Sequence, residues 1–214
     1  MKKIILLLLI ASPVMAQDFL PLYPTGIPNS KPFINKQKAT KGADGIERIS
    51  DVTVPTYRFF PAPGSVKLTS CVVICPGGGY RILASSHEGY DIAAKFNEIG
   101  VSVLVLYYRL PTDSAQVEKK YAPLQDAQSA IALVRKNAVI WNVDPNKVGI
   151  MGFSAGGHLA ATASTHFNKD YTGLHQGANL RPDFSILLYP VISMRSFGHG
   201  GSKQSLLGQN PTEE

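Results

Sequence analysis

Residues 152–156 read GFSAG, a G-x-S-x-G match that sets a serine hydroxyl between two glycines. Such a serine can attack a carbonyl carbon if a sharp turn exposes it, N–H groups face the oxyanion, and a base takes its proton. The pentapeptide alone also fits an ordinary glycine-rich turn. Its surroundings favour the activated serine. VGIM precedes it and AGGHLAATAS follows, so Ser154 falls between a buried strand and a helix. Gly152 and Gly156 let neighbouring backbone pass close. A helix starting at Ala155 points its unpaired N–H groups at the same spot.

CPGGGY (75–80) is a second candidate. Three glycines directly after a strand leave their N–H groups free to face a cleft. A plain loop and a phosphate cradle are the alternatives, but neither G-x-x-x-x-G-K-[ST] nor G-x-G-x-x-G is present. Of the other polar residues, His158 lies one helical turn beyond Ser154 and packs beneath the elbow. His87 sits inside a Ser85-x-x-Glu88 capping box and is a candidate for lining the cleft. Asp126 suits a structural ion pair or hydrogen bond, and Arg109, just past a strand end, is open to either role. Cys71 and Cys75 would lie about 13 Å apart on one strand face, too far to bridge, and read as buried thiols. No metal-ligand spacing occurs, so no metal and no cofactor is expected.

The elements that must position these residues follow from the hydrophobic pattern. CVVIC (71–75), VSVLVLYY (101–108) and the end of DPNKVGIMGF (144–153) read as strands buried on both faces, and FSILLYP (184–190) reads as a fourth strand. VPTYRFF (54–60) has strand composition. Helical spacing marks 92–99, closed by Gly100, and Ala127 to Ala138. Strands alternating with helices predict an α/β fold with a mostly parallel sheet and helices on both faces. Residues 17–47, rich in Pro, Lys, Asn and Gly and without a hydrophobic period, predict a leader lying over the surface of a domain spanning 48–214.

The first residues, MKKIILLLLIASPVMAQ, carry two lysines, an apolar run, and Val14 and Ala16 before a cut at Gln17. The run falls short of the ~20 residues that span a bilayer. A signal peptide over 1–16 is expected, with a secreted or periplasmic product and no stable membrane insertion after cleavage. The formal charge of +6 is concentrated at the start of the chain; beyond Lys41 it sums to only +1. That excludes the basic face a nucleic-acid binder needs.

CPGGGY, HEGYDIA, YYRLP, APLQDAQSAI, DPNKVGIMGFSAGGHLA and RPDFSILLYPVISM together resemble secreted bacterial α/β-hydrolases of the acetyl-xylan-esterase and feruloyl-esterase-like (BD-FAE-like) kind, over about residues 50–210. The resemblance implies hydrolysis of acetyl or feruloyl esters on plant polysaccharide such as xylan, through an acyl-enzyme on Ser154. It implies an oxyanion hole from the N–H groups of Gly78, Gly79 and Ala155, with Tyr80 near the acyl or sugar pocket. A prolyl-oligopeptidase-like serine peptidase would use the same elbow, and a non-catalytic homologue is the third reading. A glycosidase needs paired carboxylates, and no pair stands out.

A base and its orienting acid are harder to find. After Ser154 come His158, His166, His175 and His199, and the carboxylates Asp170, Asp183, Glu213 and Glu214. Asp183 and Asp170 lead to the wrong end of the sheet. His199 follows a strand in the flexible stretch FGHGGS, but no acid fits it. The resemblance implies two further strands bearing an aspartate and then a histidine beyond Glu214. The chain as given therefore reads as an incomplete copy, inactive or severely impaired, with the last strands of its sheet missing.

Overall fold

The computed structural model describes residues 19–64, 67–195 and 197–211. The expected signal peptide lies outside them. In chain order the strands are β1 (Leu20–Pro21), β2 (Lys38–Lys41), β3 (Glu47–Ser50), β4 (Thr56–Phe60), β5 (Thr69–Cys75), β6 (Ile82–Ala84), β7 (Ser102–Tyr107), β8 (Val143–Phe153) and β9 (Ser185–Leu188). The α-helices are α1 (Asp91–Glu98), α2 (Ala122–Lys136), α3 (Ser154–Thr165) and α4 (Gly200–Leu207). A six-stranded sheet runs β1-β4-β7-β5-β8-β9, and a small sheet runs β2-β3-β6.

The pairings β7–β5, β5–β8 and β8–β9 are parallel, while β4 and β1 are added antiparallel. From β5 to β7 the chain steps one way along the sheet; from β7 to β8 and from β8 to β9 it steps the other way. Right-handed crossovers then put α1 on one face and α2 with α3 on the opposite face. The expected α/β fold, mostly parallel with helices on both faces, is the one observed. Its core is made of the buried runs Val72–Ile74, Val103–Leu106 and Val148–Ile150. Cys71 and Cys75 are free buried thiols, and burial pushes both well above the ordinary thiol range.

One register decides the rest. On β5 and β8 Cys75 pairs with Gly152, so the segments that follow, CPGGGY and GFSAG, leave the sheet side by side at its carboxyl edge. Ligands of open α/β sheets bind at this edge, where successive connections diverge.

Three expectations are corrected. The Ser85-x-x-Glu88 capping box does not form. Residues 86–90 are a single π-helical turn running into α1. The Ser85 hydroxyl donates to Glu47, and the Glu88 carboxylate accepts the Gly77 N–H, because a buried carboxylate beside an unpaired N–H is satisfied there instead. Second, the leader does more than cover a surface. Leu22 and Tyr23 are buried in the core, and β2 pairs with β3 across the expected boundary at residue 47. Third, the stretch around His199 is ordered as the start of α4. The His199 ring Nδ1 accepts the Ser202 N–H at 3.1 Å, capping a helix whose glycines give it low intrinsic propensity.

A buried ion pair ties the leader to the domain. Arg109 and Asp126 are both fully buried and joined at 2.7 Å. Tyr23 donates its hydroxyl to Asp126 at 2.9 Å, and Arg109 Nη1 donates to the Pro28 carbonyl at 2.6 Å. The structural role expected for Asp126 is therefore the one it has, and Arg109 shares it. Asp126→Ala leaves an uncompensated guanidinium in the core and is expected to lower unfolding free energy by about 3–5 kcal/mol in urea titrations. Asp113→Ala, which removes an exposed pair with Lys119, should cost less than about 1 kcal/mol.

Candidate active site

Phe153 ends β8 in an extended conformation (φ −115°, ψ 133°), and Ser154 turns abruptly to φ +49° as it opens α3. A non-glycine residue in the left-handed region is uncommon and persists where its surroundings hold it. The holding contacts are visible. A side chain at Gly152 would collide with the Gly156 carbonyl, and one at Gly156 with the carbonyls of Cys75 and Pro76. The Ser154 carbonyl accepts the Val191 N–H at 3.0 Å, tying the segment after β9 to the elbow.

On the neighbouring loop the Gly77 N–H is taken by Glu88 at 2.7 Å. Gly78 (φ +138°) and Gly79 (φ +65°) follow in conformations open to glycine, and among the described residues their N–H groups have no protein acceptor. Ala155 is buried in the first turn of α3, where N–H groups lack a partner within the helix. Two buried side chains brace the loop. Tyr108 donates to the Pro76 carbonyl at 2.6 Å, and Glu88 also accepts the Tyr189 hydroxyl at 2.8 Å.

Tyr80 is an aromatic residue at φ +59°, turned inward and 2% exposed. Its hydroxyl lies 2.8 Å from His158 Nδ1. Burial raises the phenol and lowers the imidazole to about 4, with His166 contributing to the second shift, so both are neutral at neutral pH. The bond fastens the glycine loop to the helix that carries Ser154. Pattern reading missed this link, since an isolated Tyr and a helix histidine carry no shared signature.

Tyr80 lines two clefts. The larger, ≈ 730 Å³, lies between the leader and the loop after Gly79; the smaller, ≈ 280 Å³, lies over α3 beside His158 and Tyr171. Neither is lined by Ser154 or by His87. His87 is half exposed, with Nε2 3.7 Å from Glu88. The remaining histidines are engaged elsewhere: His166 with Thr162 and Thr165, His175 with Ser129, His199 with Ser202. Asp170 holds the Thr172 and His175 N–H groups, and Asp183 pairs with Arg135. No histidine among the described residues is hydrogen-bonded to Ser154.

The mostly parallel sheet and the strand–turn–helix at Ser154 are those of the α/β-hydrolase fold. The BD-FAE family model matches residues 59–194, and the chain belongs to that family. It is 43% identical over 123 residues to an acetylxylan esterase of Xylanibacter ruminicola, covering 58% of this chain and 23% of that protein. It is 41% identical over 147 residues to endo-1,4-beta-xylanase B of Butyrivibrio fibrisolvens, covering 67% of this chain and 23% of that one. The chain thus spans about a quarter of the length of these relatives. Among solved structures, an acetyl ester-xyloside bifunctional hydrolase from Caldicellulosiruptor lactoaceticus superposes with TM-score 0.69 at 34% identity, over 94% of this chain and 68% of that one. A thermophilic esterase from Thermogutta terrifontis shares the fold (TM-score 0.57, 24% identity, 82% of this chain and 59% of that one).

The His158 environment gives a pH prediction. In the folded chain this ring takes a proton only near pH 4, whereas an unfolded histidine does so near 6.5. Between those values the unfolded state binds more protons, so stability should fall as pH drops from about 6.5 to 4. Urea midpoints measured across that window are expected to fall less steeply in His158→Gln.

Proposed function

We propose that Ser154 is the nucleophile of an esterase that removes acetyl or feruloyl groups from xylan-type polysaccharide. The observation that carries this reading is Ser154, held left-handed on its elbow next to the glycine loop, where the N–H groups of Gly78 and Gly79 have no acceptor among the described residues. Family membership and the names of the relatives support the substrate class. On this reading the Ser154 hydroxyl attacks the ester carbonyl while a base takes its proton. The oxyanion accepts from Gly78, Gly79 and Ala155, the sugar hydroxyl leaves, and water releases the acid from the acyl-enzyme. The two best buried carboxylates, Glu88 and Asp126, are committed to structural bonds, which favours ester over glycoside chemistry.

The protein isolated from its host should form a fluorophosphonate adduct on Ser154 and release acetate from acetylated xylan, while leaving dipeptide amides uncut. Ser154→Ala should abolish the adduct and lower turnover by roughly 10³-fold or more. Absence of any adduct in the isolated protein would sink the reading. Amide cleavage would move it to the peptidase class. We further propose export, supported by the pattern of residues 1–16; intact mass should place the mature N-terminus at Gln17, and retention of Met1 would contradict it.

A further inference from the structure

Three consecutive residues at the end of the glycine loop meet the same helix. Gly79 faces its first turn: a Cβ placed there would lie 3.9 Å from Ser202 Oγ and 4.0 Å from His199 Cε1. Tyr80 shares the small cleft over α3 with Leu206 and Leu207 of α4, and Leu206 is buried with it in the core. Arg81 donates from Nε to Ser205 Oγ at 3.3 Å. The start of the loop is pinned at Cys75 and Pro76, against Gly156. α4 therefore meets the half of the loop that carries the unpaired glycine N–H.

This helix is poorly equipped to hold itself. It is eight residues long and begins with Gly200 and Gly201, short of the roughly 12 residues an isolated helix needs. Its start is held by His199, whose Nδ1 accepts the Ser202 N–H at 3.1 Å and lies 2.8 Å from the Ser202 hydroxyl. Ser202 is fully buried, so without this acceptor its N–H would be left unpaired and out of reach of water. His199 is itself exposed, and among the described residues its ring is hydrogen-bonded only to Ser202.

We propose that His199 is a positioning residue. By capping α4 it holds that helix against Gly79, Tyr80 and Arg81, and so fixes the N–H groups that the esterase reading gives to the oxyanion. The catalytic consequence rests on that reading; the brace itself does not. Uncapping lets α4 fray, and fraying frees the three loop residues together. Oxyanion donors act by being fixed before the charge develops, so a looser loop lowers turnover more than it weakens binding of a small ester.

The test compares His199→Ala with His199→Asn in the protein expressed in its host. Asparagine is a strong N-cap whose Oδ1 replaces Nδ1 as acceptor, whereas alanine has none. Hydrogen exchange reads the brace without substrate at the Arg81 and Ile82 amides, which both donate to the Gly78 carbonyl. His199→Ala should speed exchange there about tenfold and lower kcat for 4-nitrophenyl acetate about tenfold, with KM changed less than about twofold. His199→Asn should restore both. Parent-like exchange in His199→Ala, or a lowered kcat that asparagine fails to restore, would overturn the inference. Equal acceleration at Val72 and Val73, in the core of the sheet, would mark a general loss of stability and overturn it too. The expected exchange in a protein inert towards the ester would uphold the brace and remove the esterase reading. An active esterase whose exchange ignores both substitutions would do the reverse.

Discussion

Where α3 leaves the sheet, the backbone at Gly156 presses against the carbonyls of Cys75 and Pro76 with no space for a Cβ between them. This close approach is the constraint on which the site depends. It follows from the parallel register of β5 and β8, which brings Cys75 level with Gly152, and it fixes how far the serine turn stands from the glycine loop. A larger residue at either glycine would push backbone against backbone, and neither side could yield by turning a rotamer. The strain at Ser154 is therefore held by main-chain contacts, which are stiffer than side-chain packing.

Around that crossing the polar bonds are arranged to hold carbonyl and amide groups in place. Tyr108 fixes one end of the glycine loop through Pro76, Glu88 removes Gly77 from competition, and Tyr80 anchors the far end to His158. Each partner is buried or partly buried, where a hydrogen bond left unmade would be costly. The two glycines left between these anchors are those whose N–H groups have no acceptor among the described residues. Preorganised donors of this kind stabilise developing negative charge without having to reorient during reaction.

The centre of the sheet was legible in the sequence because β5, β7 and the end of β8 are buried on both faces. Cys71–Cys75 and Val103–Tyr107 are continuous apolar runs for that reason, and the helix after Ser154 announces itself by its turn. The leader was not legible. Tyr23 and Pro28 owe their positions to Asp126 and Arg109, 103 and 81 residues away in sequence, and no local period records such a bond. α4 was hidden for a similar reason, since its glycine-rich start has weak propensity and its order comes from the His199 cap and the contact with Arg81. The capping-box signature misled because Glu88 had a stronger claim on it from Gly77. At the site, Ser154 stood out through its motif. The Tyr80–His158 bond did not, because it joins two segments whose spacing is set only by the fold.

The clamp on the leader has a consequence for how this protein can change over evolutionary time. The same covalent segment is gripped at Tyr23 and Pro28 by a fully buried ion pair and, a few residues later, supplies Phe33 and Lys36 to the larger cleft. Local unfolding of this strap would expose the core at Leu22 and dismantle one wall of the cleft in a single cooperative event. Variation at Phe33 or Lys36 can reshape the cleft while the anchor stays intact. Variation at the anchor cannot be confined to stability, so drift in the buried pair should be constrained by both requirements at once.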